Sequence, residues 1–186
     1  MTLSALGIFS AAGAGGVQGD YELIQTTILG SSQASITFSN LGDYASTYKH
    51  LQIRSVGRTD RAGAADDPAV LRLNGDTGAN YNFHLLLGNG SSVYSGTDAY
   101  AFVYAGSTAT ANSFGTIIFD LLDAYSTTKN KTVRKAGGIA TSGANFISLS
   151  SMLWRNTAAV TSFTIVSITG SNLVAGSRFS LYGIRG

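Results

Sequence analysis

The chain has 186 residues and a formal net charge of +2, and its length suits one domain, or one domain with an arm. Charged residues make up only 12% of the sequence, Cys is absent and Glu occurs once, whereas Ser and Thr number 23 and 19. This composition disfavours a mostly helical fold and excludes disulfides, cysteine–metal sites and a catalytic cysteine. It is too evenly charged for a nucleic-acid coat or a polybasic membrane binder, and it indicates a strand-rich scaffold or binding module.

Residues 1–19 form a predicted N-terminal docking arm. This segment has no charged side chain, so it lacks the positive region that opens a secretory signal, and its apolar stretch is too short to span a bilayer. Its Gly- and Ala-rich part cannot form a core, which is also compatible with a disordered terminus. Insertion into a neighbouring subunit is favoured because the arm carries four large apolar side chains, Leu3, Leu6, Ile8 and Phe9.

Residues 20–186 are predicted to form a single β domain that starts with two strands, at 21–29 and 33–39. Turn-forming residues between these strands favour a hairpin. In the second strand, Ile36 and Phe38 alternate with hydroxyl residues, the period of a half-buried strand. Residues 41–48 are predicted to be a connecting turn or one helical turn.

Further predicted strands follow along the chain. Segment 50–58 alternates, with Leu51 and Ile53 on one face. Segment 81–87 fits a strand or a short helix, and segment 99–105 fits a strand or a loop. The other predicted strands are 69–74, 114–122, 131–141, 146–155, 162–169 and 178–185.

The fold class predicted from this pattern is all-β: an antiparallel β-sandwich, jelly-roll-like, with an N-terminal extended arm. About eight or nine short strands recur with no segment that fits a crossover helix. The long Gly- and Ser-rich segments between strands should gather at the ends of the sandwich, where recognition surfaces are commonly built. Tyrosines in or beside such loops suit glycan stacking or protein contacts, although they are also typical of core caps. The candidate recognition residues are Tyr94, Tyr100 and Tyr104.

Catalytic motifs are absent from the sequence. No Gly-x-Ser-x-Gly nucleophile elbow, dinucleotide fingerprint or Walker-type phosphate loop occurs. His50 is predicted to be an exposed rim residue, and His84 is predicted to be a hydrogen-bonded packing residue. We therefore expect a protein that is not an enzyme, with no catalytic residues and no cofactor.

Paired carboxylates leave two alternatives open. Asp66–Asp67, or Asp120 together with Asp123, could serve a glycosidase, but the first pair precedes Pro68 and favours a turn. Loop carboxylates and carbonyl oxygens could also hold a calcium ion, although residues 74–78 lack the spaced acids of an EF-hand loop. No metal site is predicted.

Two groups of basic residues are interpreted as charged strand edges that oppose aggregation. Nucleic-acid binding would require more net charge and interleaved aromatic residues. Salt bridges across a subunit interface are the alternative. The groups are Arg54, Arg58 and Arg61, and Lys129, Lys131, Arg134 and Lys135.

Three segments of the chain resemble a group of small tailed-bacteriophage virion proteins. These segments are YELIQTTILGSSQASITFSNL, YKHLQIRSVGRT and the ending GSRFSLYGIRG. Related chains also begin with a short segment rich in Ala and Gly. The resemblance rests on packing and turn residues, contains no catalytic signature and carries little over residues 59–112.

This resemblance implies a structural component of the virion, either a capsid decoration (cement) protein or a tail-fibre component, with a β-sandwich fold. By analogy with such proteins, the chain is expected to form a homo-oligomer, with a homotrimer as the usual arrangement. The expected partners are other virion proteins, such as major capsid or tail proteins, with a host surface glycan as a further candidate. Neither nucleic-acid binding nor membrane insertion is expected. The alternative function is a carbohydrate-binding host-recognition module that acts free of any particle.

Overall fold

The computed structural model describes residues 19–97 and 103–186 of the chain, and these ranges contain twelve β-strands and a single 3₁₀ turn at Leu41–Tyr44. The predicted all-β class is confirmed. In chain order the strands are β1 (Tyr21–Ile28), β2 (Ser35–Phe38), β3 (His50–Gly57), β4 (Asp66–Leu73), β5 (Tyr81–Gly88), β6 (Val93–Gly96), β7 (Val103–Ala105), β8 (Gly115–Leu122), β9 (Lys131–Ala140), β10 (Asn145–Trp154), β11 (Phe163–Ser167) and β12 (Arg178–Ile184).

The strands within the described ranges form two antiparallel sheets that pack as a sandwich. The large sheet has the order β1-β12-β3-β8-β9-β10-β5-β6, and the small sheet has the order β2-β11-β4-β7. When β5, β6, β9 and β10 are set aside, β1, β12, β3 and β8 face β2, β11, β4 and β7. The chain crosses repeatedly between the two sheets, which is the winding of a jelly roll. The eight crossing strands are called the body, and β5, β6, β9 and β10 are called the extension.

The predicted hairpin between the first two strands is wrong. β1 pairs with β12 in the large sheet, whereas β2 pairs with β11 in the small sheet. The turn residues between them carry the chain from one sheet to the other, and buried Leu29 anchors the crossing by accepting and donating backbone hydrogen bonds with the segment before β12. Turn composition signals a change of direction, but it does not fix which strand becomes the neighbour.

Three further boundaries differ from the sequence-based expectation. Asp66–Asp67 is not a turn but the start of β4, and Pro68 lies within that strand. Segment 81–87 is a strand, β5, and β6 is an additional short edge strand whose sequence VYSG shows no clear apolar alternation. Of segment 99–105, only β7 lies within the described residues, and its three side chains are all buried.

The core lies between the two sheets and continues beneath the extension. On β3, Leu51, Ile53 and Ser55 point inward as the alternation predicts, and the Ser55 hydroxyl donates to the carbonyl of Ile117 at 2.9 Å. Burial of each large apolar side chain stabilises the fold by about 1.5–3 kcal/mol. The largest buried side chains include Phe38, Tyr104, Phe119, Trp154, Phe163 and Phe179.

Candidate docking surface and end cavity

The outer face of the large sheet, which is turned away from the small sheet, has a polar part and an apolar part. Directly paired residues on neighbouring antiparallel strands point to the same face, so the register arranges outward side chains in rows across the strands. Rows near β1, β12 and β3 carry aromatic and charged side chains. Two adjacent rows across β8, β9, β10, β5 and β6 carry aliphatic side chains, and the next row along these strands is polar.

The polar part, here called the polar band, begins with a stacked pair of tyrosines. The rings of Tyr21 and Tyr182 lie 4.7 Å apart between centroids, and the Arg54 guanidinium lies 5.3 and 5.5 Å from the two ring centroids. Partial burial raises the pKa of Tyr21, and the Arg54 charge opposes that rise. The full set of residues in the band is Tyr21, Gln52, Arg54, Asp120, Arg134 and Tyr182.

Hydrogen bonds connect the band across four strands. The Gln52 side-chain carbonyl accepts from the Tyr21 hydroxyl at 2.7 Å and from Arg54 Nε at 3.0 Å. The Gln52 amide donates to Asp120 Oδ1 at 2.8 Å, and Asp120 Oδ2 accepts from Arg134 at 3.3 Å. These polar groups satisfy one another, which is the arrangement of a structural surface network rather than of a catalytic centre.

The apolar part, here called the apolar patch, consists of Leu86, Val93, Ile118, Ile147 and Leu149. One row runs from Ile118 through Leu149 to Leu86, and the next row contains Ile147 and Val93. Ile147 and Val93 are 71% and 77% exposed. Single exposed aliphatic residues are ordinary, but a contiguous group on one sheet face is typical of an interaction site.

Small residues between the large ones make the apolar patch concave. Ala136 and Gly138 occupy the outward positions of β9, between Ile118 on one side and Ile147 and Leu149 on the other. A β-carbon at Gly138 would lie 3.1 Å from the Phe146 carbonyl oxygen. The resulting groove has a volume of about 640 Å³, and no charged side chain lines it.

Ile147 and Leu149, the two patch residues on β10, are not among the candidate site residues predicted from the sequence. The stretch from Ile147 to Ser150 alternates aliphatic and Ser residues, so the simplest interpretation places the aliphatic residues inward. The structure has the opposite phase, because Met152 and Trp154 farther along β10 are buried and fix which face points to the core. Counting back in steps of two from Trp154 places Ser148 inward and Ile147 outward, and this count is the signal that identifies the patch.

Two lysines of β9 are buried on the inner face instead of forming a solvated edge as predicted. Lys131 donates to the carbonyls of Ser126, Lys129 and Thr157 at 2.6, 2.8 and 3.1 Å, and burial lowers its pKa. Burial lowers the pKa of Lys135 to about 7, and its ammonium lies 5.1 Å from the Phe83 ring centroid. The strand-edge interpretation fails because β9 lies in the middle of the large sheet.

Arg58, from the other group of basic residues, organises a loop. Its guanidinium donates to the carbonyls of Ser107, Ala109, Thr110 and Ser113 at 3.1, 3.2, 3.0 and 2.9 Å. A planar fork of donors is suited to collecting several carbonyls in this way. Arg58 therefore holds the segment that joins β7 to β8.

A cavity of about 650 Å³ opens at the end of the sandwich where β12 finishes. Tyr48 and Tyr125 line it together with the cationic groups of Lys49, Lys129 and Arg185. Hydroxyl groups of the loops 45–47 and 126–128 complete the lining. Aromatic rings, hydroxyls and charges in one concave site are suited to a polar ligand such as a sugar.

Internal contacts tie most of the charged groups at this end. Lys129 donates to Asp123 Oδ2 at 2.7 Å, and this hydrogen bond lowers the pKa of Asp123. The Asp123 backbone amide donates to Nδ1 of His50 at 2.8 Å, so His50 is a half-buried structural acceptor at the start of β3. Such pairing leaves these groups engaged with one another rather than with a reacting centre.

Glu22 organises the opposite wall of the cavity. Its carboxylate accepts from the Tyr48 hydroxyl at 2.6 Å and from Arg185 at 3.3 Å. The Arg185 guanidinium also lies 5.3 Å from the Tyr48 ring centroid. The hydrogen bond to Glu22 is the main cause of the raised pKa of Tyr48.

The predicted recognition tyrosines differ in where the structure places them. Tyr94 is exposed, but it lies on the edge strand β6, with its ring over Gly96. The prediction for Tyr104 is wrong: its side chain is fully buried in β7, donates to Ser55 Oγ at 2.8 Å and packs edge-on against Phe179. Burial raises the pKa of Tyr104. Tyr100 lies outside the described residues, as do the docking-arm residues Leu3, Leu6, Ile8 and Phe9.

The candidate carboxylate pairs are not brought together. Asp66 and Asp67 are consecutive on β4, so their side chains point to opposite faces of the small sheet. Asp67 is buried and accepts from the Thr169 hydroxyl at 2.8 Å. Asp120 lies in the polar band, whereas Asp123 lies at the end cavity. Within residues 19–97 and 103–186, no group of three or more His, Cys, Asp or Glu is placed to hold a metal ion.

His84 also differs from its predicted packing role. It is exposed on the outer face of β5, opposite Ser151.

Comparison of the chain with known protein families and with curated proteins found no match. In the part of the chain that the structure describes, no helix has the length and apolar character needed to cross a membrane.

Proposed function

We propose that the chain is a non-enzymatic structural protein of a tailed-bacteriophage particle. Residues 1–19 would attach it to the particle, and the sandwich would be displayed as a capsid decoration or tail-fibre component. The observation that carries this proposal is the apolar patch, because five aliphatic side chains left together on one sheet face favour a protein that works by assembly.

Two further features support a structural role over an enzymatic one. The carboxylates that could form a hydrolytic pair lie on opposite faces or in separate sites, and the polar band is occupied by its own hydrogen bonds. Jelly rolls are common in viral capsid proteins, but also in lectins and cupins, so the architecture supports the proposal by analogy only. The proposed partners are major capsid or tail proteins and further copies of the chain.

The test is incorporation into particles. The full chain and a variant lacking residues 1–19 are expressed during infection, and purified particles are probed for each form. We expect the truncated form to fold, because it retains every strand of the described sandwich, but to be missing from particles. Normal incorporation of the truncated chain would refute attachment through the arm, and absence of the full chain from particles would refute the virion role. Copy number per particle would then separate a capsid location from a tail location.

A second candidate function is carbohydrate binding for host recognition, and the end cavity is the observation that favours it. Tyr48, whose ring lies 5.3 Å from the Arg185 guanidinium, lines this cavity beside Lys49 and several hydroxyl groups. A glycan array with the full chain, Tyr48→Ala and Tyr94→Ala tests this function. Loss of binding in Tyr48→Ala alone would place the site in the end cavity, and loss in Tyr94→Ala alone would place it at β6. Failure of the full chain to bind any glycan would reject this function.

A further inference from the structure

We propose that the apolar patch is the binding site for residues 3–9 of a second copy of this chain. This inference rests on the proposed function and deepens it, since it names the surface that receives the arm. Each copy would supply one arm and one patch, so the contact would link neighbouring copies head to tail.

The chemistry of the two surfaces is complementary. Residues 1–19 carry no charged side chain, and their large apolar side chains, Leu3, Leu6, Ile8 and Phe9, lie within seven positions. The groove beside Ile118, Ile147 and Leu149 is lined without a charged side chain. The charged side chains that border the patch, Arg54 and Arg134, already have partners in the polar band. Joining the two removes aliphatic surface from water on both sides and leaves no charge buried without a partner.

The dimensions of the two surfaces also agree. From β8 to β6 the patch spans four strand spacings, or about 19 Å at 4.8 Å per spacing. Seven residues of extended chain cover about 23 Å at 3.3 Å per residue. Residues 3–9 can therefore lie across the strands from Ile118 to Val93.

The position where the arm leaves the sandwich favours a second copy over the same copy. Ile118, at the near end of the patch, lies three strand spacings (about 14 Å) from β1, in the same row as Thr26. Gly19 lies seven residues before Thr26 along β1, about 22 Å, so Gly19 and Ile118 are about 26 Å apart. The nine residues 10–18 are rich in Gly and Ala, and a flexible linker of that length has a root-mean-square span of about 17 Å. The direct path also crosses the polar band, where residues 10–18 would cover Arg54 and the Asp120–Arg134 pair while offering only Ser10 and Gln18 as polar side chains.

Cysteine cross-linking tests the proposal on a clean background, because the chain has no cysteine. A full chain with Phe9→Cys and a differently tagged full chain with Leu149→Cys are mixed and oxidised. We expect a mixed disulfide dimer, formed at least tenfold faster than with either of two controls. Leu23→Cys is matched because Leu23 and Leu149 are both 58% exposed, and Thr37→Cys lies on the exposed face of the small sheet. Equal rates with all three partners would overturn the proposal.

A chain that carries both Phe9→Cys and Leu149→Cys distinguishes the two sources of the arm. Intermolecular dimers and longer linked species are expected, at a yield that rises with protein concentration. A disulfide formed within single chains, independent of concentration, would overturn the proposal in favour of the chain's own arm.

A second measurement avoids cysteine chemistry. Sedimentation of the full chain should show association that is lost in Leu149→Lys and kept in the matched variant Leu23→Lys. A full chain that stays monomeric at all concentrations would overturn the proposal. Failure here is distinguishable from failure of the proposed function: if deleting the arm still removes the chain from particles, the virion role stands and only the receiving surface is wrong.

Discussion

The body and the extension use the same large sheet in different ways. In the body, β1, β12, β3 and β8 cover the small sheet on one face and carry much of the polar band on the other. The extension consists of two hairpins, β5–β6 between β4 and β7 and β9–β10 between β8 and β11, and its outer face carries most of the apolar patch. The extension widens only the large sheet, so it creates additional outer surface and leaves the jelly-roll winding of the body unchanged. That additional surface can carry side chains for binding that the fold of the body does not require.

The first prediction tests whether body and extension form one cooperative unit. Phe179→Ala in the body and Trp154→Ala in the extension each empty a fully packed position, and Trp154 also loses its hydrogen bond to Asp76 at 2.7 Å. Each substitution should lower the free energy of unfolding by about 3–5 kcal/mol, or about 10 °C in Tm. Calorimetry of both variants should show a single transition. Two transitions in Trp154→Ala, with the upper one unchanged, would show that the extension unfolds independently.

The second prediction concerns the lysine that neighbouring carbonyls surround. Lys131→Met should destabilise the fold by about 2–3 kcal/mol, because it leaves the carbonyls of Ser126, Lys129 and Thr157 without their shared donor. Urea unfolding measures this loss. Lys129→Met, which removes an exposed ammonium near the same turn, is the control and should change stability by less than about 1 kcal/mol.

The third prediction uses the pKa of Lys135, which burial lowers to about 7. Below pH 7 both folded and unfolded chains hold this proton, so the burial cost is fully present. Between pH 7 and the ordinary lysine pKa the folded chain releases the proton first, so stability rises with pH by at most about 1.4 kcal/mol per unit. Lys135→Met should remove this rise, and urea unfolding of both chains from pH 6 to 9 measures it. Parallel pH profiles would contradict the prediction.

The fourth prediction concerns Arg58 and the loop that it holds. Arg58→Ala should cost about 1–3 kcal/mol and make residues 106–113 more sensitive to proteolysis. Arg58→Lys should restore only part of the protection, because a single ammonium cannot reproduce the planar fork. Full protection in Arg58→Lys would show that charge alone, rather than geometry, orders the loop.

Most strands could be predicted from the sequence because local alternation records which side chains face the core. On β3 and β8 that alternation is regular, and the predicted and observed strands agree within one residue at either end. Strand neighbours could not be predicted in the same way, because pairing joins residues far apart, as between Tyr21 and Ile184. Turn residues such as those after β1 report a change of direction but not its destination.

The candidate site was harder to predict because exposure depends on the whole sheet. Tyr104 lies two residues before Gly106, a context that favours an exposed loop tyrosine. In the structure β7 is covered on both faces, so all three of its residues are buried. Ile147 and Leu149 are of residue types that are usually buried. They point outward because the burial of Trp154 fixes which face of β10 packs against the core. A single strand specifies two faces but not which of them will be covered.

The last prediction has the smallest effect on stability and bears most directly on the difference between body and extension. If the patch contributes to assembly and not to folding, Ile147→Lys and Leu149→Lys should each change the free energy of unfolding by less than about 0.5 kcal/mol, as exposed substitutions usually do. Leu23→Lys on β1, matched in exposure to Leu149, should behave in the same way. Chemical unfolding at low protein concentration measures the free energy of unfolding of the single chain, because association at higher concentration would add to the stability. A loss of 2 kcal/mol or more, on the scale of a core substitution, would mean that the patch packs within its own chain and is not a free surface. Small losses of stability in all three variants, combined with lost association in the two patch variants alone, would show that the apolar patch serves association. The same result would show that the exposed Leu23 on β1 does not.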